Sequence, residues 1–293
     1  MAGAFRRAVL SLCNSSLLSG TRDLWEENRI NSHMPLNKIQ KAKLGLFLVL
    51  RDWSTGDFPP VFDRESAWEN ERNYTHAMSG LTGEQVIGLN NIKPFHFDSN
   101  EFEEHTQNVS RIRAILRRLQ IRPPASIVEL GCGHGWLSKM LAMTGFHVIG
   151  TSIAEIEIQR HSRKVSAFEC RSIPGHLSFM VLPMELVDKE IKSCDCIIVY
   201  QALHHAFDWK KTVHAACRAL KPGGWLLICD EPNIAHTVVS YRVGILTNTH
   251  EVGLSRSALK KELRSAGFGS VRCFSSPLHF YVGWHWVAAR KNY

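Results

Sequence analysis

Ile127-Val128-Glu129-Leu130-Gly131-Cys132-Gly133-His134-Gly135, followed directly by Trp136-Leu137-Ser138-Lys139-Met140-Leu141-Ala142-Met143, decides how this chain is read. Two β-favouring apolar residues lead into an acid, three glycines alternate with other residues, and an apolar pattern at helical period runs on to Gly145. The pattern predicts strand, tight turn and helix, with the glycine-rich turn at the helix N-terminus, where backbone N–H groups face a ligand. Glycine suits the turn because it adopts positive φ and lets the backbone approach what is bound. A dinucleotide fingerprint would need its third glycine at position 136, where Trp136 stands.

Composition frames what surrounds this unit. A chain of 293 residues can bury a full core and suits one large α/β domain with an extension. Its 44% hydrophobic and 21% charged residues are ordinary for a globular protein. The net charge of +8 raises the question of nucleic acid. The positive residues are nevertheless scattered, and the one cluster, Arg111-Ile112-Arg113 with Arg117-Arg118, reads as the wet face of a helix, so nucleic acid is not the expected partner. Eight cysteines form no disulfide framework. Cys132, Cys194, Cys196, Cys217 and Cys229 fall in or beside predicted core elements, and no C-x-x-C pair suggests a metal, so none is expected and reducing cytosol fits best. No segment reaches the ~18–20 apolar residues of a membrane span, and Leu44–Leu50 is a short run bracketed by Lys43 and Arg51. The first 22 residues carry Arg6, Arg7, Arg22, several serines and no acid. They read as an amphipathic helix, with Phe5, Val9 and Leu10 on one side, packed on the α/β domain. The alternative is an organelle transit peptide, which would move the expected location from cytoplasm to mitochondrion.

Up to about Pro124 strand–helix alternation is absent. Trp25, Trp53 and Trp68 mix with turn signals such as Ser54-Thr55-Gly56-Asp57 and Pro59-Pro60. Residues Glu103 to Leu119 predict a helix burying Val109, Ile112, Ile115, Leu116 and Leu119, stopped by Pro123-Pro124. Strands then follow at Ile127–Leu130, His147–Thr151, Leu177–Leu182, Cys194–Tyr200 and Trp225–Asp230. Helices are expected near Ala154–Lys164 and over Trp209–Leu220, the latter ended by Lys221-Pro222-Gly223-Gly224. Another spans Ser255–Ala266, with Ser255 as N-cap and Gly267 as C-cap. Two strands, Ser270–Phe274 and Tyr281–Ala289, close the chain. Apolar strands separated by helices mean a parallel sheet covered on both faces.

The G-x-G-x-G spacing, with Glu129 two residues before the first glycine, resembles the first motif of class I S-adenosylmethionine-dependent methyltransferases, and the likeness extends over about residues 103–293. It implies a Rossmann-like, seven-stranded, mostly parallel sheet with an antiparallel last strand and helices on both faces, preceded by a mainly helical extension over 1–102. It implies S-adenosyl-L-methionine as cofactor. Glu129, Gly131, Cys132, Gly133 and Gly135 would then hold its amino-acid portion, with the acid receiving the ammonium. Family members place Asp or Glu at the end of the second strand for the ribose hydroxyls; here Ser152 stands there, and Ser152-Ile153-Ala154-Glu155 also reads as a capping box. Glu155 and Glu157 are the residues that could replace the carboxylate. Met184 and Glu185 would face the adenine, and Gln201 joins the cofactor side. The most specific match is Leu203-His204-His205 with Leu220-Lys221-Pro222-Gly223-Gly224, which resembles the small-molecule group of quinone, sterol and natural-product enzymes. The N/D-P-P-Y/F of amino-group methylators is replaced by Tyr200-Gln201-Ala202-Leu203.

These motifs lead to methyl transfer onto a small-molecule or saccharide acceptor at oxygen, with a histidine as general base. His205 is the first candidate and His204 the second, both just beyond a strand's carboxyl end, where open α/β sheets keep their sites. His250 and Glu251, in Thr249-His250-Glu251-Val252-Gly253, follow. Residues 1–102 are expected to act as lid and acceptor pocket. The basic charge supports a runner-up, methylation of RNA or protein, and Ser152 supports a different class, a non-catalytic scaffold.

Overall fold

In the computed structural model, residues 2–32, 34–58, 63–73, 100–155, 157–159, 174–275 and 284–293 are described. The turn signal at Pro59-Pro60, residues 160–164 of the expected helix after the second strand, and the start of the last strand at 281–283 lie outside them. The chain separates into two compact units, one of residues 1–80 with 234–253 and the other of 81–233 with 254–293.

The larger unit is built on seven strands: β1 Ser126–Leu130, β2 His147–Ser152, β3 His176–Val181, β4 Cys194–Tyr200, β5 Leu220–Pro232, β6 Phe268–Cys273 and β7 Trp284–Lys291. Their order is β3-β2-β1-β4-β5-β7-β6, and β7 runs antiparallel to both neighbours while the other pairings are parallel. Alternate residues of the central strands feed two cores. Val128, Leu130, Ile197, Val199, Leu226 and Ile228 face one side, and Ile127, Cys196, Ile198 and Leu227 the other. Both faces are covered, which is why these strands read as unbroken apolar runs. Two-sided burial of Ile197 and Ile198, each fully buried, is worth roughly 1.5–3 kcal/mol per side chain.

Among the described residues, the N-terminal helices of the smaller unit are α1 Ala2–Cys13, α2 Ser19–Ile30, α3 Lys38–Thr55 and α4 Arg64–Arg72. In the larger unit, α5 spans Asn100–Arg118, α6 Trp136–Met143, α7 Val187–Glu190 and α8 Trp209–Ala219. Ala235–Thr247 forms α9, which leaves the sheet after β5 and joins the smaller unit, and Arg256–Ser265 forms α10. Ile112, Ile115, Leu116 and Leu119 are buried as the periodicity of α5 requires. Arg111 departs from the expected wet face: its guanidinium lies 4.2 Å from the Trp286 ring and donates to the Phe274 carbonyl. The Lys221-Pro222-Gly223-Gly224 segment does end α8, but pairing already starts at Leu220, opposite Cys194, so β5 begins earlier than expected. At the end of α10 the C-cap is Ala266, one position before the expected Gly267, which follows it with φ 105°.

Within the smaller unit, α3 opens on a capping box between Asn37 and Gln40 and ends at Gly56, whose φ of 98° only glycine adopts readily. Leu44, Phe47 and Leu48 of α3 and Tyr241 of α9 form its core with Trp25. Tyr241 donates to Asp52 at 2.8 Å, and Arg242 donates to the buried Asn28 at 2.7 Å. The N-terminal helix exists but rests on α3; Phe5 is exposed, with its ring edge-on to Trp53. No helix among the described residues is long and apolar enough to cross a membrane.

The crossing of α3 and α9 depends on Gly45. A Cβ there would lie 1.6 Å from the Val238 carbonyl oxygen, backbone that cannot step aside as a side chain would. Gly45→Ala should therefore prise the two helices apart and destabilise this unit by about 1–3 kcal/mol or more, read as a lowered denaturation midpoint and as faster amide exchange confined to α3 and α9.

Candidate functional site

Strand order reverses between β1 and β4, and the carboxyl ends of these neighbours are where an open α/β sheet leaves a crevice. The turn after β1 is built as expected. Gly131, Gly133 and Gly135 take φ of 70°, 48° and 67°, and the Cys132 N–H donates to the Thr151 carbonyl, tying the turn to β2. A Cβ on Gly131 would strike the Ala202 Cβ at 2.6 Å and meet the Met184 thioether at 3.7–3.8 Å. A Cβ on Gly133 would meet no protein atom within 4 Å. The turn thus closes against protein at its first glycine and opens at its second, a cradle that fits a bound ligand. The Cys132 thiol is buried, and desolvation pushes its pKa well above the ordinary thiol range, which makes it an inert wall.

Glu129 is 3% exposed, and the Ser138 hydroxyl of α6 donates to its carboxylate. Burial pushes its pKa up to about 7, with the hydrogen bonding from Ser138 opposing the shift. Such a carboxyl is poised to receive a cation. Ser152 ends β2; its hydroxyl accepts from the Ala154 N–H at 3.1 Å and donates to a Glu157 carboxylate oxygen at 2.9 Å. The capping box expected with Glu155 is replaced by this link to Glu157, so a carboxylate does stand at the end of β2. Glu185 lies in the short turn Met184–Leu186 after β3, where it accepts from the Asp208 N–H at 3.1 Å and steadies the start of α8. Gln201 sits at φ 47°, and its amide donates to Asp230 at 2.7 Å.

The two histidines lie in the short 3-10 turn Leu203–His205, with ring centroids 4.1 Å apart. The two rings differ in their surroundings. His204 is buried, and its Nδ1 lies 2.9 Å from Glu231, while His205 is half-buried. Glu231 is fully buried and accepts from the backbone N–H groups of Ala202 (2.6 Å), Leu203 (2.7 Å) and His204 (3.2 Å). Burial alone would raise its pKa; the His204 ring and these N–H donors outweigh it and hold the carboxyl below its ordinary range. The adjacent Asp230, at φ 55°, accepts from Gln201, from Asn108 at 2.8 Å and from the Trp286 indole at 3.2 Å. Asn108 also donates to the Tyr200 hydroxyl, which lies 2.8 Å from His105 Nδ1. Glu231, Asp230, Asn108 and His105 were not among the expected site residues. The one signal for them is the Asp230-Glu231 pair closing an otherwise apolar strand.

His250 and Glu251 belong to the smaller unit. The His250 N–H donates to Glu71 at 3.2 Å, and buried Glu251 faces His236 Nε2 at 3.5 Å. Both line a cavity of about 360 Å³ whose other walls include Val49, Phe58, Val238, Tyr241, Ile245 and Val252.

A family model described as a methyltransferase domain matches residues 99–272. The chain belongs to that family. It is 30% identical over 128 residues to the ubiquinone biosynthesis O-methyltransferase of Idiomarina loihiensis, covering 43% of this chain and 49% of the relative. It is 27% identical over 180 residues to the mitochondrial ubiquinone biosynthesis O-methyltransferase of Homo sapiens, covering 55% and 46%. The chain thus spans about half the length of these curated relatives. Its fold is similar to that of the magnesium protoporphyrin IX methyltransferase of Synechocystis PCC 6803, solved with bound SAH, at a TM-score of 0.57 and 18% identity over 77% of this chain and all of that one. Residues 234–253, which belong to the smaller unit, lie within the matched range.

Glu129 yields a test on the protein alone. A carboxyl near 7 when folded and near 4.5 when unfolded binds more protons folded, so its cost to stability grows as pH rises from about 4.5 and is complete above about 7. Glu129→Gln should raise the melting temperature at pH 8 and leave it nearly unchanged at pH 5. An equal shift at both values would show that the carboxyl is not desolvated as described.

Proposed function

We propose that this chain is an S-adenosylmethionine-dependent O-methyltransferase for an apolar small molecule, with His204 as the general base. The observation that carries this reading is the His204–Glu231 pair beyond the carboxyl end of β4. Glu231 is held ionised, so it can only accept; the hydrogen between the two must sit on Nδ1, and the ring's lone pair on Nε2. A buried carboxylate that fixes the tautomer and then stabilises the imidazolium is what a base needs to take a hydroxyl proton.

When bound, S-adenosylmethionine supplies a methyl carbon activated by a positively charged sulfur. The residues present suit it. The open face of Gly133 leaves room for its amino-acid portion, Glu129 offers a carboxylate to the ammonium, Glu157 offers one to the ribose hydroxyls in place of Ser152, and Met184 offers an apolar surface to the adenine. The relatives' names support oxygen as the accepting atom. Both relatives are named for ubiquinone biosynthesis, which favours an apolar small molecule over a saccharide as the acceptor.

His204→Ala should lower turnover by roughly 10²–10⁴-fold with cofactor affinity nearly unchanged, and should flatten the fall of rate at acid pH. His205→Ala should cost less. A His204→Ala enzyme with wild-type turnover and the same acidic limb would remove the base from this position. Glu157→Gln should weaken cofactor binding about tenfold through loss of a charge-assisted acceptor, while Glu155→Gln leaves it unchanged; titration calorimetry distinguishes the two.

A further inference from the structure

Helix α5 uses its arginines in two ways. On one side Arg111 stacks on Trp286 and Arg118 on Phe274. On another, Thr106, Ser110, Arg113 and Arg117 recur at intervals of four, three and four, a single stripe on a helix. That stripe borders a cavity of about 480 Å³ lying wholly in the sheet unit, between α5, α6 and the Ile121–Pro123 connection. Its volume falls in the ~300–1,000 Å³ range of small-molecule pockets. The floor is hydrocarbon, formed by Ile112, Leu116, Leu137, Met140 and Leu141 with Phe146. The rim carries Arg113, Arg117 and Arg122 and no acidic side chain. Among the described residues, no hydrogen bond or ion pair engages any of these three guanidinium groups.

A helix face that is merely wet carries its charges over solvated surface and needs no cavity beneath them. Here three cations of one sign stand around an apolar hollow, which matches a ligand that is anionic at one end and hydrocarbon at the other. Arginine suits this because its guanidinium pairs bidentately with a carboxylate. We propose that this cavity is a binding site for a free aliphatic carboxylate, with the chain on the hydrocarbon floor and the carboxylate at the arginine rim. The site is separate from the glycine turn and its ligand, and the inference does not depend on the proposed methyl transfer.

Decanoate titrated calorimetrically into the full chain tests it. One saturable site is expected, with decanol and inorganic phosphate each binding at least about tenfold more weakly, because each keeps only half of the recognition. Reversing the rim with Arg113→Glu, Arg117→Glu and Arg122→Glu, all exposed positions, should abolish binding with circular dichroism unchanged. Met140→Trp should abolish it by filling the hollow. Should either variant fold poorly, a diazirine analogue of decanoate on the wild-type chain replaces it, and its label should map within residues 106–146. Equal binding of decanol, full binding by the rim-reversed protein, or labelling elsewhere would overturn the proposal. So would binding of phosphatidylglycerol vesicles without binding of free decanoate.

Discussion

Glu231 collects three backbone N–H groups and an imidazole on one carboxylate that no water reaches. Burying such a charge costs several kcal/mol unless its lone pairs are filled, and the turn after β4 is folded so as to fill them. The same contacts fix the turn. Ala202, Leu203 and His204 point their N–H groups at one place, and the His204 ring follows. Gln201, just before them, is held in the left-handed region at φ 47°, a conformation that costs about 1–3 kcal/mol and persists only where its surroundings dictate it. The candidate base is therefore positioned by the sheet through β5 and not by its own short turn alone.

A second strained residue makes this possible. Consecutive strand residues normally point to opposite faces, and Asp230 with Glu231 do so at a place where the pairing of β5 with β7 slips by a residue. Asp230, at φ 55°, turns toward Asn108, Gln201 and Trp286, and Glu231 turns toward the β4 turn. Burial raises the pKa of Asp230, whose direct donors are all neutral, while the donors and the imidazole around Glu231 lower its own. Two neighbouring carboxyls thus diverge by environment alone, as groups with separate tasks do.

The strand–turn–helix over 127–143 and the sheet around it are legible in the sequence because two-sided burial writes unbroken apolar runs and positive φ demands glycine. The site is legible only in part. The glycine turn and the His204-His205 pair announce themselves by residue type. Glu231 does not, since nothing in a linear chain says that an acid after Cys229 will meet a backbone turn 27–29 residues earlier. At Ser152 the sequence offers both Glu155 and Glu157, and only the fold decides that it is Glu157 whose carboxylate meets the Ser152 hydroxyl. Arg111 reads as solvated from its neighbours, yet the partner that draws it inward, Trp286, lies at the other end of the chain.

The route of the chain also orders its own synthesis. Helices α1 to α4 are made before the sheet, yet α9, which closes their core through Tyr241, is made only after β5 is complete. During that interval Leu44, Phe47 and Leu48 lack the Tyr241 side of their packing, while the strands that order the sheet are already being made. A chain built this way completes the core around α3 only after β5 has been made, and until then the apolar side of α3 lacks part of its cover. The excursion that delays it is closed neatly: Asn233 and Leu254 form a bridge, and the Leu254 N–H returns to the Pro232 carbonyl. Strand β5 therefore hands the chain out and takes it back at one point, leaving α10 and the last two strands to complete the sheet.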